Sequence, residues 1–150
     1  MIGSDESLPF STVWTPIDGA FGDYTIVARA VGEDERVSFS FLDYTIPYEV
    51  IDNPVPAGIV DGLNIDGNQI TISLYAPNKE FVSIKGSWNT AFPNGELMYL
   101  SGDTLWWYET TLGNGEHAYQ YNIEGVKNIA DPWSKDVIWI DPNAGWESGY

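Results

Sequence analysis

The sequence predicts an all-β protein, and three observations support this. Aromatic residues make up 15% of the chain, while 15 glycines and 9 prolines supply many turn positions. Apolar and polar residues alternate over several short segments, as they do in strands with one buried face. No segment keeps a helical period, and no apolar run approaches the roughly 18 residues that a membrane-spanning helix needs.

Residues 1–51 contain alternating segments separated by turn residues, so we expect about four strands here. The segments are Phe10–Trp14, Asp23–Val31, Val37–Phe41 and Tyr44–Ile51. The acidic turn Gly32–Arg36 joins the second to the third and predicts a hairpin. A strand, an acidic turn and an aromatic strand in this order resemble the closing strands of an immunoglobulin-like domain. We expect a partial immunoglobulin-like segment that either lacks its opening strands or packs on the following module.

Residues 52–58 contain two prolines separated by one residue, which predicts a short, stiff linker. A second module is expected over residues 59–142. Its first part alternates cleanly from Gln69 to Tyr75, and a further strand is predicted from Glu80 to Lys85. The sequence therefore divides into two β-rich parts joined by a Pro-rich connection.

The turn at residues 61–68 partly matches a calcium-binding loop, since Asn64, Asp66 and Gly67 have similar spacing. Leu63 and Ser73 occupy positions where such a loop needs oxygen ligands and a terminal acid. A tight hairpin explains the same residues without a metal. No metal site and no cofactor are predicted.

The segment Phe81–Lys135 carries four of the seven tryptophans. Alternation places Trp106, Tyr119 and Tyr121 on core-facing positions of two strands, and Trp107 on an outward position. An outward tryptophan is expected to cover a sugar ring, a neighbouring domain or a loop, because its large apolar surface is unfavourable in water.

The chain has 22 acidic residues against 6 lysines and arginines, a formal charge of −16. Nucleic acid and anionic membrane surfaces are unfavourable partners, because their phosphate groups repel such a surface. The sequence contains no cysteine and one histidine, which excludes thiolate metal sites and disulfides. Neutral ligands, cations and other proteins remain as partners.

Several motifs follow one another in a recognisable order. They are Leu74–Gly86, Gly86–Asn89, a Trp-bearing strand, Gly115–Gly125 and Asn128–Val137. Together they resemble a carbohydrate-binding module of family 48, the glycogen-binding type, over residues 59–142. Such early-set modules precede the barrel of α-amylase-family enzymes (glycoside hydrolase family 13) and occur in the β-subunit of AMP-activated protein kinase. The resemblance implies an immunoglobulin-like β-sandwich that binds α-glucan.

In that family two exposed tryptophans, a lysine and an asparagine form the glucan site. The first tryptophan position falls near Ala91 or Phe92 here, and Trp88 stands where phenylalanine is usual. The second falls at Val126–Lys127, and the lysine position is Gln120. The candidate sugar-binding residues are Phe92, Gln120 and Lys127, at or near the family positions, together with Trp88 and the outward Trp107, which would complete an aromatic platform.

Three tryptophans lie close together towards the end of the chain, Trp133, Trp139 and Trp146. Residues 143–150 resemble a linker towards an amylase-type catalytic barrel, so these tryptophans are expected either to pack against that barrel or to cap the module itself. The chain alone is not expected to catalyse a reaction, because such a barrel needs about 250 residues and no nucleophile motif is present.

Two functions follow as expectations. The chain is a non-catalytic accessory module of a secreted or envelope α-glucan-degrading enzyme and binds or positions starch-like polysaccharide. Alternatively, it is a structural module that packs on the catalytic barrel in cis and binds no sugar.

Overall fold

A computed structural model describes residues 11–141 and 145–149, with side chains as far as residue 137. All regular structure in this part of the chain is β-strand, which confirms the predicted all-β class. The described strands are β1 (Gly22–Val31), β2 (Val37–Ile46), β3 (Gly62–Asp66), β4 (Gln69–Tyr75), β5 (Val82–Gly86), β6 (Glu96–Leu97), β7 (Tyr99–Ser101), β8 (Leu105–Thr111), β9 (Ala118–Ile123), β10 (Lys127–Ile129), β11 (Asp136–Asp141) and β12 (Gly145–Gly149).

Two antiparallel sheets form a β-sandwich, and the hairpin β1–β2 precedes it. The six-stranded sheet has the order β11-β12-β9-β5-β6, with β10 also pairing with β9. The four-stranded sheet has the order β3-β4-β8-β7. The predicted sandwich architecture is therefore present, while its immunoglobulin-like type stays a prediction.

The core lies between the two sheets and follows the alternation of the sequence. Every second residue of β4, β5, β8 and β9 points inward, because successive side chains of a strand point to opposite faces. The most deeply buried of these residues are Ile70, Ile72, Leu74, Val82, Ile84, Trp106, Tyr119 and Tyr121. The prediction that Trp106, Tyr119 and Tyr121 are core residues is confirmed.

Each of these three aromatic residues also has a hydrogen-bond partner for its polar atom. Trp106 Nε1 donates to the carbonyl of Ala76 at 2.9 Å. The Tyr121 hydroxyl donates to the carbonyl of Ser73 at 3.1 Å, and the Tyr119 hydroxyl donates to the Asp131 carboxylate. These bonds matter because an unpaired polar group in a dry interior costs about 1–3 kcal/mol.

Residues 50–60, here called the spacer, run along the edge of the four-stranded sheet and over part of its outer face. The backbone of the spacer runs beside β7, where Leu100 N donates to Ile51 O at 3.0 Å and Asn53 N donates to Leu100 O at 2.8 Å. Ser73 of β4 donates its hydroxyl to Val60 O at 2.9 Å. The Pro-rich segment predicted as a linker is thus packed on the sandwich over much of its length.

Trp107 lies beneath this spacer. Its side chain points to the outer face of β8, as the alternation predicts, but only 5% of its surface is exposed. Its Nε1 donates to Asn53 O at 2.8 Å, and its ring lies 4.9 Å from that of Tyr99. Of the three covers expected for this tryptophan, the structure has a neighbouring segment of the same chain.

The hairpin β1–β2 packs on the sandwich through its base. Phe21 is buried and its ring lies 5.6 Å from that of Phe81 in an edge-on arrangement. Asn94 Nδ2 donates to Phe21 O at 2.7 Å, and Tyr48 contacts Phe81 at 4.5 Å between ring centroids. At the other end of the hairpin Val27, Phe39 and Phe41 are exposed.

Three segments differ from their sequence predictions. Of the strand predicted at Phe10–Trp14, residues 11–14 are not in a strand, and Phe10 lies outside the described residues. The extended piece predicted at Tyr44–Ile51 is split, because β2 continues to Ile46 and Pro47 ends it. Within the linker predicted at 143–150, residues 145–149 form β12, which pairs with β9 through Ser148 and Gly149.

The turn at residues 61–68 is the tight hairpin that the sequence favours. Strands β3 and β4 pair in register from Gly62–Ser73 to Asp66–Gln69, and Gly67 has a φ of 60°. A positive φ is costly for residues with a Cβ atom, so the glycine suits this position. In the described parts of the chain, no helix has the length and apolar character needed to cross a membrane.

Replacing Trp107 should test how much the spacer contributes to stability. Trp107→Phe removes the hydrogen bond to Asn53 O and leaves that carbonyl without its partner, so the free energy of unfolding should fall by about 1–3 kcal/mol. Urea denaturation measures this, with Trp133→Phe as the control because Trp133 is 61% exposed. Equal unfolding midpoints for the two variants would contradict the assignment of Trp107 as a buried anchor.

Alkaline pH should destabilise the fold through its buried tyrosines. Burial, followed by the hydrogen bond with Glu96, raises the pKa of Tyr108 from 10.0 to about 12. Burial, followed by the hydrogen bond with Asp131, raises the pKa of Tyr119, and burial also raises that of Tyr121. Because the unfolded chain ionises first, stability is full below pH 10 and decreases as the pH rises through about 12.

Urea midpoints measured across this pH range check the expectation, together with the ultraviolet absorbance of tyrosinate. Tyr108→Phe should show a smaller pH-dependent loss than the unmodified chain, because one of the raised groups is absent. If every tyrosine ionised near pH 10 while the chain stayed folded, the expected linkage between ionisation and folding would be excluded.

Candidate functional site

The outer face of the six-stranded sheet carries a set of polar side chains. Strands β5 and β9 pair so that Lys85 lies opposite Gln120 and Ser83 opposite Asn122. Their neighbours along each strand point into the core, so these four residues point away from it. Alternation alone therefore places a polar strip across the centre of this sheet.

A loop of residues 87–95 folds back over this strip, and Asn89 fixes its first half. Asn89 Oδ1 accepts from Gly86 N at 2.7 Å. Its Nδ2 donates to Ile84 O at 3.1 Å and to Glu96 Oε2 at 2.8 Å. Asn89 is buried, and it holds the loop against both flanking strands.

The second half of the loop approaches the sheet closely at Gly95. A Cβ atom on Gly95 would lie 2.4 Å from the carbonyl oxygen of Ile84, and the residue has a φ of 76°. Both facts require glycine here. Next to it, the Ser83 hydroxyl donates to Asn94 O at 2.7 Å, so Phe92 and Pro93 are held above the sheet.

Between the loop and the sheet lies an open groove of about 300 Å³. Its lining residues are Lys85, Gly86, Ser87, Asn89, Thr90, Phe92, Pro93 and Gln120. Gln120 is 5% exposed, and its Oε1 has no hydrogen-bond partner among the described residues. A buried amide oxygen without a partner is costly, so a small turn of the Gln120 side chain that exposed this oxygen to a hydrogen-bond donor in the groove would be favourable.

The groove can hold a small, neutral and partly apolar ligand. Its lining combines Phe92 and Pro93 from the loop with Lys85 and Gln120 from the sheet. Lys85 is the charged residue among the lining residues, so small cations are disfavoured. In the described part of the chain, no group of three or more His, Cys, Asp or Glu side chains is placed to hold a metal ion.

The structure brings together two of the five sugar-binding residues that the sequence suggests. Phe92 and Gln120 line the groove. Lys127 is exposed on β10 and is not among the lining residues. Trp107 belongs to the other sheet and is covered by the spacer, so its ring offers no open face for a sugar.

Trp88 lies beside the groove but serves the local packing. Its ring occupies the space beside Gly86, where a Cβ atom would be 2.6 Å from it. Its ring centroid is 6.3 Å from that of His117 and 6.4 Å from that of Tyr119. His117 Nε2 lies 3.1 Å from the carbonyl oxygen of Gly113, which gives the ring a local hydrogen-bond partner.

Sequence reasoning missed the polar residues of the loop and of β5, namely Lys85, Asn89 and Thr90. The signal for Lys85 was available, since alternation in β5 places it on the outward face. Asn89 gives no such signal, because its role depends on the loop folding back onto Ile84 and Glu96.

Of the three tail tryptophans, Trp133 is the one whose side chain lies among the described residues. Trp133 is 61% exposed, with its backbone N–H bonded to Asp131 Oδ1 at 2.9 Å. The backbone of Trp139 and Trp146 belongs to β11 and β12, where the two residues pair. Their side chains lie outside the described residues. Comparison of the chain with protein-family models and with curated proteins finds no match.

A pair of substitutions should separate ligand contacts from fold contacts in the groove. Gln120→Met keeps the side-chain length and removes an unpaired buried oxygen, so stability should be unchanged or slightly higher. Asn89→Ala removes three hydrogen bonds that hold the loop and should cost about 1–3 kcal/mol. Thermal unfolding of both variants measures this. A large destabilisation by Gln120→Met would mean that Gln120 is a structural residue.

Proposed function

We propose that this chain is a non-catalytic accessory module that binds a neutral α-glucan in the groove between β5, β9 and the loop 87–95. In this proposal it belongs to a secreted α-glucan-degrading enzyme of the α-amylase type and positions polysaccharide for a catalytic barrel in the same protein.

The observation that carries the proposal is a groove lined by both Gln120 and the aromatic Phe92, in which the buried Oε1 of Gln120 has no partner among the described residues. Sugars present both hydroxyl donors along their edges and apolar C–H faces. A site for them combines a few fixed polar groups with an aromatic surface. Gln120 supplies a hydrogen-bond acceptor for sugar hydroxyls, and Phe92 supplies an aromatic surface for the C–H faces.

The charge of the chain supports a neutral ligand. With 22 acidic residues and 6 lysines and arginines, the surface repels anionic polymers at long range. Lys85 at the groove disfavours cations at short range. A polyhydroxylated neutral chain avoids both penalties.

The resemblance to the family 48 modules supports the same proposal. Gln120 stands at the family's lysine position, and Phe92 stands near its first tryptophan position. Both residues line one groove. An early-set, immunoglobulin-like type for the sandwich is part of this proposal.

A structural module without sugar binding is the second candidate. Trp133, at 61% exposure, and the half-exposed Val137 favour it, since exposed apolar side chains in adjacent segments often mark an interface. In this version the tail packs against the catalytic barrel.

Isothermal titration calorimetry with maltoheptaose and β-cyclodextrin tests the first candidate. The unmodified chain should bind at millimolar or lower ligand concentration. Gln120→Met should weaken binding about tenfold, because a hydrogen bond in a desolvated site is worth on the order of 1.4 kcal/mol. The matched control is Gln69→Met, on β4 of the other sheet and exposed, which should leave the affinity unchanged.

Absence of binding by the unmodified chain at high millimolar ligand would reject the sugar-binding candidate and favour the structural one. Binding that Gln120→Met and Gln69→Met leave equally strong would place the sugar elsewhere on the surface. A negatively charged glucan, such as a phosphorylated one, should bind no better than the neutral oligosaccharide.

A further inference from the structure

A second, smaller cleft lies where the N-terminal segment crosses the loop 87–95. It encloses about 170 Å³. One side comes from residues 14–26, and the other side comes from Ala91 and Pro93. The lining is mainly aromatic and aliphatic: Trp14, Ile17, Tyr24, Ile26, Ala91 and Pro93.

Trp14 forms the aromatic wall of this cleft, and its orientation is fixed by two tyrosines. Its ring centroid lies 5.6 Å from that of Tyr24 in a tilted arrangement and 5.9 Å from that of Tyr44 edge-on. The side chain remains partly exposed. A rigid, partly open tryptophan presents an apolar surface with little conformational entropy left to lose on binding.

The cleft and the groove are neighbours. Pro93 lines both of them, so a single loop separates the aromatic cleft from the polar groove. The relative positions of the two are also fixed. Asn94 Nδ2 donates to Phe21 O at 2.7 Å, and it lies so close to Gly22 that a Cβ atom there would be 2.6 Å away.

The chemistry of the cleft complements that of the groove. No charged side chain is among the residues that line the cleft. The groove offers the buried Gln120 oxygen and Lys85 for hydrogen bonds. A ligand that extends across both needs repeated units, each with an apolar face and hydroxyl edges.

We propose that the cleft at Trp14 is a second sugar subsite, which binds a pyranose unit of the same glucan chain that occupies the groove. The inference rests on the proposed function and extends it, since it makes the N-terminal segment part of the binding surface. Trp14 stacks on the C–H face of one sugar unit, while Gln120 accepts a hydroxyl hydrogen bond from another unit.

The test compares ligands of different length on one set of variants. Trp14→Leu should weaken maltoheptaose binding about three- to tenfold, the range expected for one aromatic stacking contact. It should leave the weaker binding of maltose in the groove unchanged, because a disaccharide does not reach both positions. Trp14→Phe should give an intermediate effect. Trp133→Leu is the matched control at an exposed tryptophan and should alter neither affinity.

The outcomes separate the two proposals. If the unmodified chain binds no glucan, the proposed function fails and the subsite fails with it. If Gln120→Met weakens maltoheptaose binding while Trp14→Leu does not, the groove stands and the subsite is overturned. If Trp14→Leu weakens maltose and maltoheptaose equally, Trp14 acts through the fold and the subsite is again overturned.

A second measurement covers the case in which Trp14→Leu does not fold. In the unmodified chain, the indole N–H resonance of Trp14 should shift on adding maltoheptaose and should not shift on adding maltose. Assignment uses the Trp14→Phe variant, which lacks this resonance. A Trp14 signal that stays in place at saturating maltoheptaose overturns the proposal.

Discussion

The structure depends on how three aromatic side chains are accommodated between the two sheets. The side chains at the centre of the sandwich are Trp106, Tyr119 and Tyr121. The N–H or O–H group of each donates a hydrogen bond to a partner in the chain. Large rings bury much apolar area, while a missing partner for any of the three polar atoms would cost free energy. The spacing of the sheets, the path of residue 76 and the position of Asp131 are all constrained by these partners.

The two outer faces of the sandwich differ in whether their polar side chains find hydrogen-bond partners within the chain. The spacer lies over the centre of the four-stranded sheet and bonds to Ser73 and Trp107, so these two side chains have partners within the chain itself. On the six-stranded sheet the loop 87–95 leaves a groove in which the amide oxygen of Gln120 has no partner among the described residues. One face thus has its polar atoms satisfied internally, and the other retains an unmet acceptor. This difference is why the candidate site lies on the six-stranded sheet.

The sequence was sufficient to predict much of the fold, because alternation and turn residues are local signals. Strand β4 was predicted with its observed bounds, and the inward positions of Trp106, Tyr119 and Tyr121 followed from period-two patterning. The site was predictable only in part. The resemblance predicted Phe92 and Gln120 as site residues. The partner of Trp107, by contrast, is Asn53, which lies 54 residues away in the chain. Contacts of such separation depend on the tertiary fold and leave no periodic signal.

The spacer folds together with the sandwich, so the cooperatively folding unit begins before residue 59. Its two prolines mark it as a connection, yet its backbone pairs beside β7 and its carbonyls accept hydrogen bonds from Ser73 and Trp107. A recombination event that joined a new partner at residue 59 would transfer a sandwich without the Asn53 carbonyl that bonds Trp107 and without the backbone partners of Leu100. The smallest portable unit therefore includes the spacer, and in this protein a composition typical of linkers belongs to the domain that follows it.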